Sequence, residues 1–117
     1  MAEIIPFTGI LYNPGKVDAS LTTAPPYDIV TPEFKEELYK KDPHNIIRID
    51  FGKDSDSDTE HENRYTRAAG YLSDWLREGT LMYDTSPSFY FYEISYEING
   101  RSLKTRGFLG AVKLEEL

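Results

Sequence analysis

Ser88-Phe-Tyr-Phe-Tyr-Glu-Ile-Ser-Tyr-Glu-Ile98 runs into Asn99-Gly100, and Arg101-Ser-Leu-Lys-Thr-Arg-Gly-Phe-Leu-Gly-Ala-Val-Lys-Leu114 follows. This stretch decides the fold class. Both flanks are rich in aromatic and β-branched residues, and Asn-Gly accepts the positive φ angles of a two-residue type I′ turn. Such a short loop sets the register: Ile98 faces Arg101, Tyr96 faces Leu103, Glu93 faces Arg106 and Phe91 faces Phe108. One face of the hairpin then carries Tyr90, Tyr92, Ile94, Tyr96 and Ile98, and the expectation is that it packs on a helix. The other carries Phe89, Phe91, Glu93, Ser95 and Glu97 and turns polar toward the tip, where Glu93 and Arg106 can pair across strands.

Working back from the hairpin, Leu81-Met-Tyr83 reads as a short extended piece. Before it, Asn63 to Glu78 is the strongest helix pattern. Tyr65, Ala68, Ala69, Leu72, Trp75 and Leu76 recur at steps of three and four, Asn63 is placed to cap, and Gly79 to terminate. Gly70 inside it points to a close approach by another backbone or to simple tolerance. Thr31-Pro32-Glu33 opens a second helix that Asp42-Pro43 closes, with Lys40 and Lys41 in its last turn. Between them, His44 to Phe51 alternates Ile47, Ile49 and Phe51 with Arg48 and Asp50, which predicts a strand. Glu3 to Phe7, containing Pro6, predicts an edge strand or arm that Gly9 to Tyr12 continues; Asn13-Pro-Gly15 predicts a turn. Lys16 to Thr23 has no clear period, and Ala24-Pro-Pro-Tyr-Asp28 is a stiff connection. The order expected is β-α-β-loop-α-β-β: a single α+β domain over residues 1–117, its mostly antiparallel sheet and long C-terminal hairpin packed on two helices. The chain stops soon after a long strand, at Val112-Lys-Leu-Glu-Glu-Leu117, which reads as the N-terminal fragment of a longer protein.

Composition narrows the function classes. Thirteen Lys and Arg against twenty Asp and Glu give a net charge of −7, which argues against a nucleic-acid backbone as partner. Much of the acidity is one run, Asp54 to Glu62, with five carboxylates and no Lys or Arg; it predicts a solvated, mobile loop. Its resemblance to calcium loops fails for want of the central glycine and the closing glutamate. No apolar run is long enough for a membrane span, and the N-terminus lacks a secretory pattern. There is no cysteine, so disulfides, thiol nucleophiles and Cys-type metal sites are excluded, and a cytoplasmic location is expected. His44 and His61 make no metal-ligand spacing. No Gly-x-Ser-x-Gly elbow or phosphate loop occurs; Gly107 and Gly110 fall in a strand pattern, where glycine permits a bulge or close contact.

Six polar residues form the candidate ligand-binding set. Tyr27 and Asp28 sit on the stiff connection, Asn45 and Arg48 flank the 44–51 pattern, and Arg64 and Arg67 open the long helix. Arginine at a helix N-terminus opposes the dipole, so a paired carboxylate or a bound anion is expected to compensate. The plainer of these is a salt bridge to Asp28, Asp50 or the acidic run. The stripe Tyr90, Tyr92, Tyr96 reads as core and sheet surface rather than as a stacking platform, although nine tyrosines leave some for an interface.

Taken in order, Ile5-Pro-Phe7 with Tyr12-Asn-Pro14, Ala24-Pro-Pro-Tyr-Asp-Ile-Val30, Asn45-Ile-Ile-Arg48, Tyr65-Thr-Arg-Ala-Ala69 with Trp75-Leu76, and Phe91-Tyr-Glu93 with Arg106-Gly-Phe108 resemble the N-terminal part of the bacterial and archaeal DUF1015 family, a domain of unknown function. The resemblance implies a longer parent whose later region carries an Asp-Gly-His-His-Arg segment. That segment is similar to the active-site motif of the ParB/sulfiredoxin-like superfamily of nucleotide hydrolases and free-serine kinases. It also implies an association with serine biosynthesis. No His-His-Arg segment occurs in this chain. The leading expectation is therefore a domain with no catalysis and no cofactor of its own, whose Tyr27, Asp28, Asn45, Arg48 and Arg67 support a site completed by the C-terminal region of its parent. A nucleotide-dependent phosphotransferase or hydrolase acting on a small metabolite such as serine is the alternative. A protein–protein assembly module, with a possible homo-oligomer through the tyrosine-rich hairpin, is the third.

Overall fold

A Thr or Asn before a run of helix formers satisfies the free amides of the first turn, and both long helices begin this way. In the computed structural model, which describes residues 2–115, Thr31 caps α2 (Pro32–Lys41) by accepting from the Phe34 amide at 3.1 Å. Asn63 caps α4 (Arg64–Arg77) in a reciprocal box with Thr66, and Gly79, at φ +81°, ends it as expected. Two one-turn helices accompany them, α1 (Ala19–Thr22) and α3 (Ile47–Asp50), with a 3-10 turn at Tyr27–Ile29. The strands are β1 (Ile4–Ile5), β2 (Ile10–Tyr12), β3 (Leu81–Tyr83), β4 (Tyr90–Ile98), β5 (Arg101–Leu109) and β6 (Ala111–Val112). The class is α+β. The sheet is divided into separate two-stranded pairs, β1 with β6, β2 with β3, and β4 with β5.

The largest departure from the sequence reading is 44–51, which is not a strand. Ile47–Asp50 is helical, so the expected order gains a helix where it had a strand. The cause lies in two side chains. Asp42 Oδ1 accepts from the His44 amide at 2.7 Å, and Asn45 Oδ1 accepts from the Ile47 amide at 3.0 Å. Such local bonds offer the backbone a turn instead of a ladder. The alternation misled because Ile47 and Phe51 are also four apart, one turn of a helix.

The chain divides into two compact units. One comprises residues up to Ile10 together with those from Tyr83 onward; the other is Leu11–Met82. In the helical unit, Val30, Leu38 and Ile47 form the core, with Ala24, Tyr39 and Phe51 partly buried against it. Trp75 is buried nearby, its ring within 5.3–6.4 Å of those of His44, Tyr71 and Tyr12. Burial pushes the Tyr12 phenol up to about 12, with Asp42 adding to the shift; its hydroxyl donates to the His44 carbonyl at 2.6 Å. Gly70 meets nothing within 4 Å, so it is tolerated rather than required for close packing.

In the terminal unit the hairpin has the expected register throughout, from Ile98 opposite Arg101 to Tyr90 opposite Leu109. Asn99 and Gly100 take φ +52° and +77°, the two positive angles of a type I′ turn. Arg106 Nε donates to Glu93 at 2.7 Å. Gly107 lies under the Tyr92 ring so closely that a Cβ would overlap it, which is why the strand holds a glycine there. The base is tied by Tyr90, whose hydroxyl accepts from the Gly9 amide and donates to Asp84, each at 2.8 Å. The expected end of the chain at Val112–Leu117 falls partly outside the described residues, since Glu116 and Leu117 are not among them.

Candidate functional site

Arginines at the end and start of helices need carbonyls or carboxylates, and the three nominated ones meet that need differently. Arg48 donates to the Asp42 and Tyr39 carbonyls at 2.8 and 2.9 Å, with its guanidinium 4.4 Å from the Tyr39 ring centre. It therefore neutralises the carbonyl-rich end of α2. Arg67 forms a fork with Asp58 at 2.7 and 3.1 Å and donates to the Lys53 carbonyl at 2.7 Å. That fork holds Asp58 below the ordinary carboxylate range, the Arg67 hydrogen bond first and the Ser55 amide second. The acidic run is thus a loop fastened to α4. This is the salt bridge to the acidic run expected for the helix start.

Asn45 is fully buried. Its amide nitrogen donates to the Leu21 and Thr23 carbonyls at 2.8 and 3.0 Å while its oxygen takes the Ile47 amide. These three bonds join the 21–23 segment to the start of α3. Asp28 is exposed on the 3-10 turn. Of the six nominated residues, Tyr27 and Arg64 are the two that share a cavity.

That cavity has a volume of about 310 Å³ and is lined by Tyr27, Ile49, Asp50, Phe51, Arg64 and Tyr65, among others. Tyr27 meets Phe51 edge-on at 5.9 Å between ring centres. The Arg64 guanidinium lies 5.5 Å from the Phe51 ring centre and 4.9 Å from that of Tyr65, and it donates to the Tyr65 hydroxyl at 2.8 Å. Its nearest carboxylate is Asp54, at 3.8 Å. The Tyr65 hydroxyl, ahead of Asp54, keeps its pKa raised. A second cavity, about 350 Å³, shares Phe51 with the first and is lined besides by Val30, Pro32, Lys35, Glu36, Lys53 and Asp54.

Sequence reasoning missed Lys35, Phe51 and Tyr65 here. Phe51 was assigned to a strand and Tyr65 to the inner face of the long helix; Tyr65 is 71% exposed instead. The unfavourable position of Arg64 at the first residue of α4 was the signal that led toward this place. Among the described residues there is no cluster of three or more His, Asp or Glu side chains able to hold a metal ion. No helix there is long and apolar enough to cross a membrane.

Compared with known proteins, residues 4–117 match the profile of a family described as "Protein of unknown function (DUF1015)". No curated protein and no solved structure matches the chain.

Proposed function

The chain belongs to that family, and from this we propose that it is a non-catalytic docking domain, which supports a site completed by the C-terminal region of its own parent chain. One observation carries the reading. The nine-residue strands β4 and β5 present Tyr92, Ile94, Tyr96, Ile98, Leu103 and Leu109 on one face, every one of them exposed. A two-stranded ribbon is marginal in water without an apolar face packed on something. An exposed apolar patch of this kind marks an interaction surface. The ribbon's other face supports the same direction, since Phe89, Phe91 and Phe108 cluster at its base with Phe91 84% exposed.

The test is to mix the chain with the separately produced remainder of the parent and measure association by calorimetry. Binding that is lost in Ile94→Glu and Tyr96→Glu, with the two-unit chain still folded by circular dichroism, is the expected result. Absence of association, or association indifferent to both substitutions, overturns the reading. Self-association of the chain alone in light scattering, abolished by the same substitutions, would move the assignment to an assembly module.

A further inference from the structure

Phe51 lines two cavities that together hold an unusual grouping for a chain of net charge −7. The Lys35 ammonium sits 3.5 Å from the Phe51 ring centre and makes one long hydrogen bond, 3.4 Å, to the Gly52 carbonyl. Arg64, in the lining of the first cavity, lies 5.5 Å from the centre of the same ring. Lys53 also lines the second cavity, but Glu36 pairs with it at 2.7 Å. Among the described residues Lys35 has no salt bridge, and Arg64 has only the 3.8 Å approach of Asp54. Arg48 and Arg67, by contrast, are engaged by partners at 2.7–3.1 Å.

We propose that Lys35 and Arg64 bind the anionic group of a small molecule that also carries a planar ring, that the ring packs on Tyr27 and Tyr65, and that Asp54 stands in for the anion in the free chain. Two cations gathered around one aromatic ring repel each other and lose hydration, and an anion offsets both costs. Consistent with this, the Lys35 ammonium is shifted down, by desolvation first, with Arg64 and Lys53 also pushing it down and Asp54 opposing. Tyr27 and Tyr65, 61% and 71% exposed, line the first cavity. Its volume, about 310 Å³, is at the small end of ligand sites, which sets the size class. Asp50 lines the same cavity and opposes a second negative group there, so a single anionic group fits best. The Tyr65 and Thr66 amides at the start of α4 are already taken, both donating to Asn63.

This inference concerns the helical unit and is independent of the docking face, since it is read on the chain alone. Phenyl phosphate, AMP, inorganic phosphate and phenol are titrated into the chain, with binding followed by NMR shifts of Phe51, Arg64 and Tyr65. Phenyl phosphate and AMP are expected to bind about tenfold tighter than either inorganic phosphate or phenol, a difference of about 1.4 kcal/mol. Arg64→Gln and Lys35→Gln each weaken binding about fivefold or more without lowering Tm, because both side chains lie outside the core. Asp54→Asn tightens it by removing the competing carboxylate. Inorganic phosphate binding as well as phenyl phosphate removes the ring from the proposal. Unchanged or weaker binding in Asp54→Asn removes the stand-in, and no binding by any probe overturns the site.

Discussion

The two units are held by different forces. Among the described residues every buried apolar side chain, Val30, Leu38, Ile47, Trp75 and Leu81, lies in Leu11–Met82. The terminal unit has none, yet it contains the longest ladder, nine paired positions between β4 and β5. The helical unit rests on burial with polar groups satisfied inside it, Asn45 above all. The hairpin unit rests on a turn, cross-strand pairs and glycines that admit tyrosine rings. A ribbon held mainly by local terms is marginal with its apolar face open, and a docking partner would supply the cover it lacks.

The comparison breaks most readily at Asn45. Asn45→Ala leaves the buried Ile47 amide and two part-buried carbonyls without this partner, and a cost of about 2–3 kcal/mol is expected in urea unfolding of the helical unit. Ile47→Ala should cost a similar amount, about 2–5 kcal/mol, through the cavity it leaves. The hairpin should answer to backbone changes instead. Gly107→Ala forces the far end of the exposed Tyr92 ring aside, and a loss of about 1 kcal/mol is expected, visible as altered Tyr92 contacts in NMR. Asn99→Ala keeps the fold but places a residue ill-suited to φ +52° in the turn, at about 1 kcal/mol. Smallest of all, Ile94→Thr should change stability of the isolated chain by no more than about 0.5 kcal/mol, since its side chain is 56% exposed. A large loss there would mean the apolar face is already covered.

One test sharpens the comparison through pH. Asp58 is held below its ordinary value near 3.8 by Arg67, so its contribution is complete above that value and is lost as pH falls through the lowered one. Titration of the Asp58 carboxyl by NMR should give a midpoint below 3.8, and Arg67→Gln should raise it toward that value, the Ser55 amide still holding it down, and loosen the 55–62 loop. A midpoint unchanged by Arg67→Gln would show the loop to be held by its own turns alone.

The hairpin, both helix caps and the Gly79 stop were legible in the residues because each depends on neighbours within a few positions. Asn-Gly specifies its turn, and a two-residue turn specifies every pairing after it. The candidate site was legible only in part. An arginine opening a helix announces a need for negative charge, but it does not say whether a carboxylate 9 positions back, as for Arg67, or a cavity meets that need. Local bonds from Asp42 and Asn45 turn 44–51, but only the tertiary structure supplied the carbonyls, 22 and 24 positions away, that let Asn45 be buried there. It alone brought Lys35, Phe51 and Arg64 together, since their convergence depends on how α2, α3 and α4 pack, and no local pattern encodes that distance.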